Sequence, residues 1–207
     1  QIFENRPYFG KFVKGRKVPH FFYGASSQSS LRILAEHSST SFRYQAVDLK
    51  KISAQSKIVL TKAKSEAIRH IKDVFLAKNI IHTGVLFEYM VFLDDMLLGV
   101  LAYSLGKVNY QKKTTLYLLS DVTTTGEAKL SKLMAHLALS REAIDPINHR
   151  MFERFEFIVT TARTKNPISM KYRGVYELLS RRPADAGEEG FILQYGHNVK
   201  SDSLQDI

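Results

Sequence analysis

The sequence predicts an α+β fold, a mixed central β-sheet flanked by helices and preceded by a basic N-terminal extension. Three observations predict it. From residue 57 onward, short apolar runs with strand composition alternate with stripes at helical spacing. Their order is strand, helix, two hairpin strands, strand, helix, strand, short helix, strand, strand. The β-α-β steps at 115–161 and 155–179 need crossover connections, which make parallel neighbours. Residues 1–56 lack this regularity and interleave cations with aromatic rings. A chain of 207 residues suits one domain with an extension. At that length roughly 70% of the unfolded surface is buried, enough for a core.

The elements follow in order. Ile58-Val59-Leu60 is a short apolar strand, and 64–78 is a helix with Ala67, Ile68, Ile71, Val74 and Phe75 on one stripe. Residues 86–93 and 97–104 are two strands joined by a tight turn at Asp94-Asp95. Residues 115–120 form a strand rich in β-formers. A helix over about 126–142 carries Leu130, Leu133, Met134, Leu137 and Leu139 largely on one side. Residues 155–161 are a strong strand. Asn166-Pro167 reads as a helix start, with Asn capping and Pro in the first turn, where its missing N–H costs nothing. Gly174 can take the left-handed conformation that ends this short helix. Residues 176–179 and 191–195 are the last strands, separated by a polar, partly acidic loop over 183–190. The chain thus divides into an extension over 1–56, a domain over 57–199 and a tail over 200–207.

Composition narrows the function. Lys+Arg is 30 against 20 Asp+Glu, a net charge of +10, with 44% hydrophobic residues. There is no cysteine, which excludes a disulfide scaffold, a thiol nucleophile and a cysteine zinc site, and fits a reducing compartment such as the cytoplasm. No apolar run approaches the ~20 residues of a membrane helix, and no signal peptide is visible. The chain opens on Gln1 rather than Met, as a fragment or processed product does. The seven histidines are scattered without a metal-binding pair, so no metal is expected. Gly-x-Ser-x-Gly, Walker and Rossmann signatures are absent.

Two segments concentrate the positive charge. In the first 17 residues, Arg6, Lys11, Lys14, Arg16 and Lys17 face only Glu4 and alternate with Phe3, Tyr8, Phe9 and Phe12. Between 163 and 182 stand Arg163, Lys165, Lys171, Arg173, Arg181 and Arg182 against Glu177. Cations beside rings suit a nucleic-acid strand, the cations taking phosphates and the rings stacking on bases. The alternative is a solvated basic surface with its aromatics packed on the domain. DNA or RNA as partner accounts for both segments at once, whereas two cationic regions would repel a protonated amine.

The loop over 121–129 joins a strand to a helix. Thr124 and Glu127 are spaced as a capping box. Free N–H groups and the helix dipole at such an end favour an anion, and Gly126 lets backbone approach it closely. Glu127 adds negative charge at the same place.

The succession of elements over 57–195 resembles the GNAT superfamily, the Gcn5-related N-acetyltransferases. Its members hold the acetyl-CoA pyrophosphate on a loop of form Gln/Arg-x-x-Gly-x-Gly/Ala, and Thr123-x-x-Gly126-x-Ala128 keeps that spacing with Thr at the first position. The resemblance implies acetyl-CoA or another acyl-CoA as cofactor, held by Thr123, Thr124, Thr125, Gly126, Ala128 and Asn166. Asn166, Tyr172 and Gly174-Val175 look like a compressed form of the family's next motif, which implies Tyr172 as general acid. Leu97-Leu98-Gly99-Val100, Leu130-Ser131-Lys132-Leu133 and the run 166–176 look like the Mom-type phage proteins, a GNAT-like branch that modifies DNA bases and shields phage DNA from restriction.

Acyl transfer to an amine or nucleobase needs a base for the nucleophile's proton and an acid for the leaving thiolate. Asp121, at a strand end beside the loop, and Glu88, on a strand near the cleft, are the candidate bases. Ser169 and Lys171 would lie close to the reacting groups. A non-catalytic nucleic-acid-binding module on a degenerate GNAT scaffold and a small-molecule N-acetyltransferase are the competing readings.

Overall fold

The computed structural model describes residues 9–12, 19–22, 47–53, 55–63, 68, 71–72, 85–106, 110, 112–185 and 189–199. In the extension, β1 (Phe9–Phe12) pairs antiparallel with β2 (Pro19–Phe22) as a separate two-stranded sheet. The domain is one seven-stranded mixed sheet built from β3 (Ile58–Lys62), β4 (Phe87–Leu93), β5 (Met96–Leu105), β6 (Thr115–Thr123), β7 (Phe157–Thr164), β8 (Glu177–Pro183) and β9 (Phe191–Asn198). The strand order is β3-β4-β5-β6-β7-β9-β8. The expected hairpin is present: Asp94 takes the positive φ of 52° that a tight turn demands. Among the described residues, no helix is long and apolar enough to cross a membrane.

Each face of the sheet carries its own core. Ile68 and Ile71 are helical and fully buried against Leu97, Val100 and Val122 on one face, which places the part of the predicted 64–78 helix that is described. On the other face lie α1 (Ala128–Leu137) and α2 (Arg141–Met151), whose Leu130, Met134, Ile144 and Ile147 pack on Tyr89, Leu101 and Leu118. The single helix expected over 126–142 is therefore two. Ser140 makes the break: its hydroxyl donates to Leu137 O at 2.9 Å and accepts from Ala143 N, capping α2. Pro146 inside α2 hides this second helix from pattern reading, yet Ala143, Ile144 and Ile147 still form its buried stripe.

Two further expectations are corrected. Residues 166–174 are turns rather than a short helix; their backbone closes only isolated loops, such as Arg173 N–H to Ser169 O at 3.0 Å. Gly174 does take a positive φ of 78°. The second β-α-β step does not yield parallel neighbours, because β9 lies between β7 and β8, antiparallel to both. The hairpin after β8 folds back so that β9 takes the free edge of β7.

The feature that positions a site lies at the sheet's centre. Parallel strands β6 and β7 pair only from Thr115–Leu118 against Phe157–Thr160 and then part. The last residues of β6 and β7 leave an opening there. Gly99 shapes its far wall: a Cβ at that position would stand 2.1 Å from Val122 O, so only glycine lets β5 approach the end of β6 this closely.

Candidate functional site

Asp121 stands on β6 beyond the last β6–β7 pair, with its side chain 8% exposed. The turn after β7 reaches across the opening to it. Lys171 Nζ lies 2.8 Å from Asp121 Oδ1 and also donates to the Asp121 carbonyl, and Tyr172 Oη donates to the same Oδ1 at 2.9 Å. Asp121 Oδ2 is buried and finds no partner among the described residues. A buried carboxylate oxygen with a free lone pair is costly, and this one retains the capacity to accept a further hydrogen bond.

The surrounding rings set the electrostatics. Tyr172 packs edge-on against Tyr176 and tilted against Tyr195, and Tyr195 Oη accepts from Ser169 N at 2.8 Å. Burial and then the Asp121 charge push the Tyr172 hydroxyl well above the ordinary phenol range, so it is a neutral donor. Tyr103 and Tyr176 are pushed the same way, burial being the largest cause in each. Tyr103 and Tyr176 donate to carbonyls of α1 and the residue after it, Ala138 O and Ala135 O.

The 123–128 loop sits immediately after Asp121. Thr123 Oγ1 donates to Thr125 O at 2.7 Å and meets Ser131 Oγ at 3.2 Å. The capping box is not formed. Thr124 Oγ1 instead donates to Leu97 O at 2.6 Å, tying the loop to β5, and Glu127 is the N-cap without a side-chain cap bond. As in any helix, the first-turn N–H groups of α1 have no carbonyl behind them, and Glu127 does not cap them with its side chain. Gly126 is exposed, and a Cβ built there meets nothing within 4 Å. The space over the loop is open to a ligand. Lys129 and Lys132 are exposed beside it, and Lys132 Nζ would be 3.7 Å from a Cβ on Gly174.

The other predicted residues divide. Asn166 is exposed, and its N–H bonds Thr164 Oγ1. Ser169 is half-buried and Ala128 is exposed at the start of α1. Glu88 is buried, but its register row Glu88–Ala102–Ser120 alternates with the row Tyr89–Leu101–Asp121, so it lies on the opposite face from Asp121. The cationic segment is partly neutralised by the 183–190 loop. Arg163 and Arg182 reach Asp185 at 3.7 and 2.9 Å, and Lys165 reaches Glu189 at 3.2 Å. Arg181 lies over the Phe191 ring, whereas Arg173 is exposed with no ion pair among the described residues. Sequence reasoning assigned Lys171 to phosphate contact; here its ammonium is engaged with Asp121. Tyr103, Tyr176 and Tyr195 have no site role in the sequence reading, where the density of tyrosines is their one signal, and Ser131, quoted there in the run 130–133, here meets Thr123 Oγ1.

The chain matches the phage GNAT-like domain family over residues 55–207. It belongs to that family. No curated protein sequence matches it. The phage GNAT-like domain is similar to a variant of the spermidine N-acetyltransferase SpeG from Vibrio cholerae, at 10% identity over 68% of this chain and 93% of that one, with a TM-score of 0.49. It is also similar to an IAA acetyltransferase from Bacillus cereus, at 10% identity over 69% of this chain and 99% of that one, TM-score 0.46. A ribosomal-protein alanine N-acetyltransferase from Escherichia coli aligns at 11% identity over 73% and 99% of the two chains, TM-score 0.45. The mixed seven-stranded sheet with α1 packed on it is the GNAT fold, and members of this superfamily use acetyl-CoA in general.

Proposed function

We propose that this phage GNAT-like domain is an acyl-CoA-dependent transferase that modifies bases of DNA, in the manner of the Mom-type proteins that shield phage DNA from restriction. The observation that carries the reading is Asp121 Oδ2, a buried oxygen without a partner at the parting of β6 and β7, beside an exposed cationic turn. A nucleobase amine offers the N–H that this oxygen lacks, and Arg173 would take a flanking phosphate. The exposed cations around the opening, Lys129, Lys132 and Arg173, disfavour a protonated polyamine.

The loop fits an acyl-CoA pyrophosphate, because the space over Gly126 is open and the first N–H groups of α1 are unbonded within the helix. Gly126, Ala128 and the neighbouring amides would hold it, with Lys129 and Lys132 adding charge and Glu127 opposing. Bound there, an acyl-CoA supplies an activated acyl group and a thiol leaving group. Asp121 Oδ2 accepts the proton of the attacking nitrogen. Lys171 and Tyr172 fix the carboxylate through Oδ1 so that Oδ2 remains the free acceptor. Tyr172 Oη holds the proton for the leaving group. Burial first, and the Asp121 charge second, keep that hydroxyl protonated.

The test is mass spectrometry of nucleosides digested from plasmid DNA of cells expressing the wild type, D121N or neither. A new nucleoside in the wild type alone is expected, and its mass names the transferred group. Wild-type DNA without an adduct, from protein that binds acetyl-CoA in solution, would turn the assignment to a non-DNA acceptor.

A further inference from the structure

The turn that closes over Asp121 also holds an apolar side chain out in water. Met170 is 69% exposed and Ile168, two residues before it, 44%. The residues around Met170 are fixed. Ser169 N–H is bonded to Tyr195 Oη, Lys171 Nζ to Asp121, and Tyr172 Oη to Asp121, three ties to β9 and β6. Gly174, at a φ of 78°, completes the turn. Met170 is thus a long, unbranched apolar group presented from a braced backbone, adjacent in sequence to the Lys171 that binds Asp121 and three residues before the exposed cation Arg173. Its side chain is not packed into the domain.

We infer that Met170 is a wedge that enters the base stack of duplex DNA and holds the target nucleotide turned out toward Asp121. The inference rests on the DNA reading above and names the form of substrate. Inside a duplex the reacting atoms of a base lie in the stack, out of reach of a carboxylate that is itself buried, so the nucleotide must leave the helix. Proteins that open a base step commonly fill the gap with an apolar side chain, and methionine serves because it is flexible and polarisable. Arg173, exposed and without an ion pair among the described residues, is placed to hold the displaced backbone. Ile168 is the second apolar group available to the same step.

The prediction separates from a general contact by its dependence on the state of the DNA. Affinities of the full chain, as wild type, M170A and M170L, are measured by fluorescence anisotropy on three labelled pools of random sequence: paired duplex, the same duplex with one central mismatch, and single strand. A mismatched or unpaired base has already lost most of the stacking that the wedge must replace. M170A should lose about tenfold on paired duplex and no more than about twofold on the other two pools, while M170L stays within about threefold of wild type on all three. Thermal unfolding of M170A should be unchanged, since the side chain is exposed. Equal loss on the three pools, or none on any, overturns the wedge and leaves the DNA reading standing. Wild-type protein that binds none of the pools overturns the DNA reading and the wedge with it.

Discussion

Replacing Lys171 by methionine keeps most of the side chain's length and removes the ammonium from Asp121 Oδ1, where it sits at 2.8 Å. The carboxylate, 8% exposed, then keeps Tyr172 as its donor and has Oδ2 still unpartnered. Breaking a buried ion pair by removing one member costs about 3–5 kcal/mol. Lys171 is 25% exposed, so water can reach the vacated side, and the loss for K171M should be about 2–3 kcal/mol. D121N should lose about 1 kcal/mol, because its amide oxygen still accepts from Tyr172 and the lysine can turn to water. In the double variant no charge is buried, and the total should be about 1–2 kcal/mol, well below the sum of the singles. Urea unfolding at neutral pH measures all four proteins, with the m-value checked for constancy. Losses that add to within about 0.5 kcal/mol would mean that the two groups are energetically independent and that the pair does not organise the opening.

Three other outcomes follow from the same geometry. G126V adds its side chain to open space, so stability should change by less than about 0.5 kcal/mol while acetyl-CoA affinity measured by calorimetry falls at least about tenfold; retained affinity would remove the loop from the cofactor site. R173A should weaken DNA binding uniformly across sequences and lower the slope of log K against log salt by about 1, and an unchanged slope would take Arg173 out of the interface. Tyr103, Tyr172 and Tyr176 hold their protons well above the ordinary phenol range in the folded protein. The unfolded chain releases them near pH 10, so above that pH it binds fewer protons than the native state and stability falls as pH rises. Urea titrations between about pH 9 and 11, followed by phenolate absorbance, should show these groups ionising only on unfolding; ionisation of all three in the folded protein would contradict their burial.

What could be read from the sequence was what neighbours in the chain decide. The β4–β5 hairpin announced itself because its apolar runs and its Asp94-Asp95 turn lie within a few residues of each other. The placement of the 123–128 loop at the start of α1 was legible for the same reason, although its Thr124 hydroxyl was not: it bonds Leu97 O, 27 residues away, which overrides the local capping box. Asn166-Pro167 has every local mark of a helix start. It fails because Ser169, Lys171 and Tyr172 are tied to β9 and β6, and those ties hold the segment in turns.

The sequence by itself determined the fold class, the alternation of strands and helices and the excess of positive charge, since each depends on composition or on spacing within one element. Only the tertiary structure decided that β9 inserts beside β7, that Glu88 and Asp121 occupy opposite faces, and that Lys171 turns inward to Asp121 while Met170 is left outside. The physical reason is distance along the chain. Lys171 and Tyr172 stand 50 and 51 residues from Asp121, and contacts at that separation are set by which strands pair and where β6 and β7 part, information that no local periodicity carries.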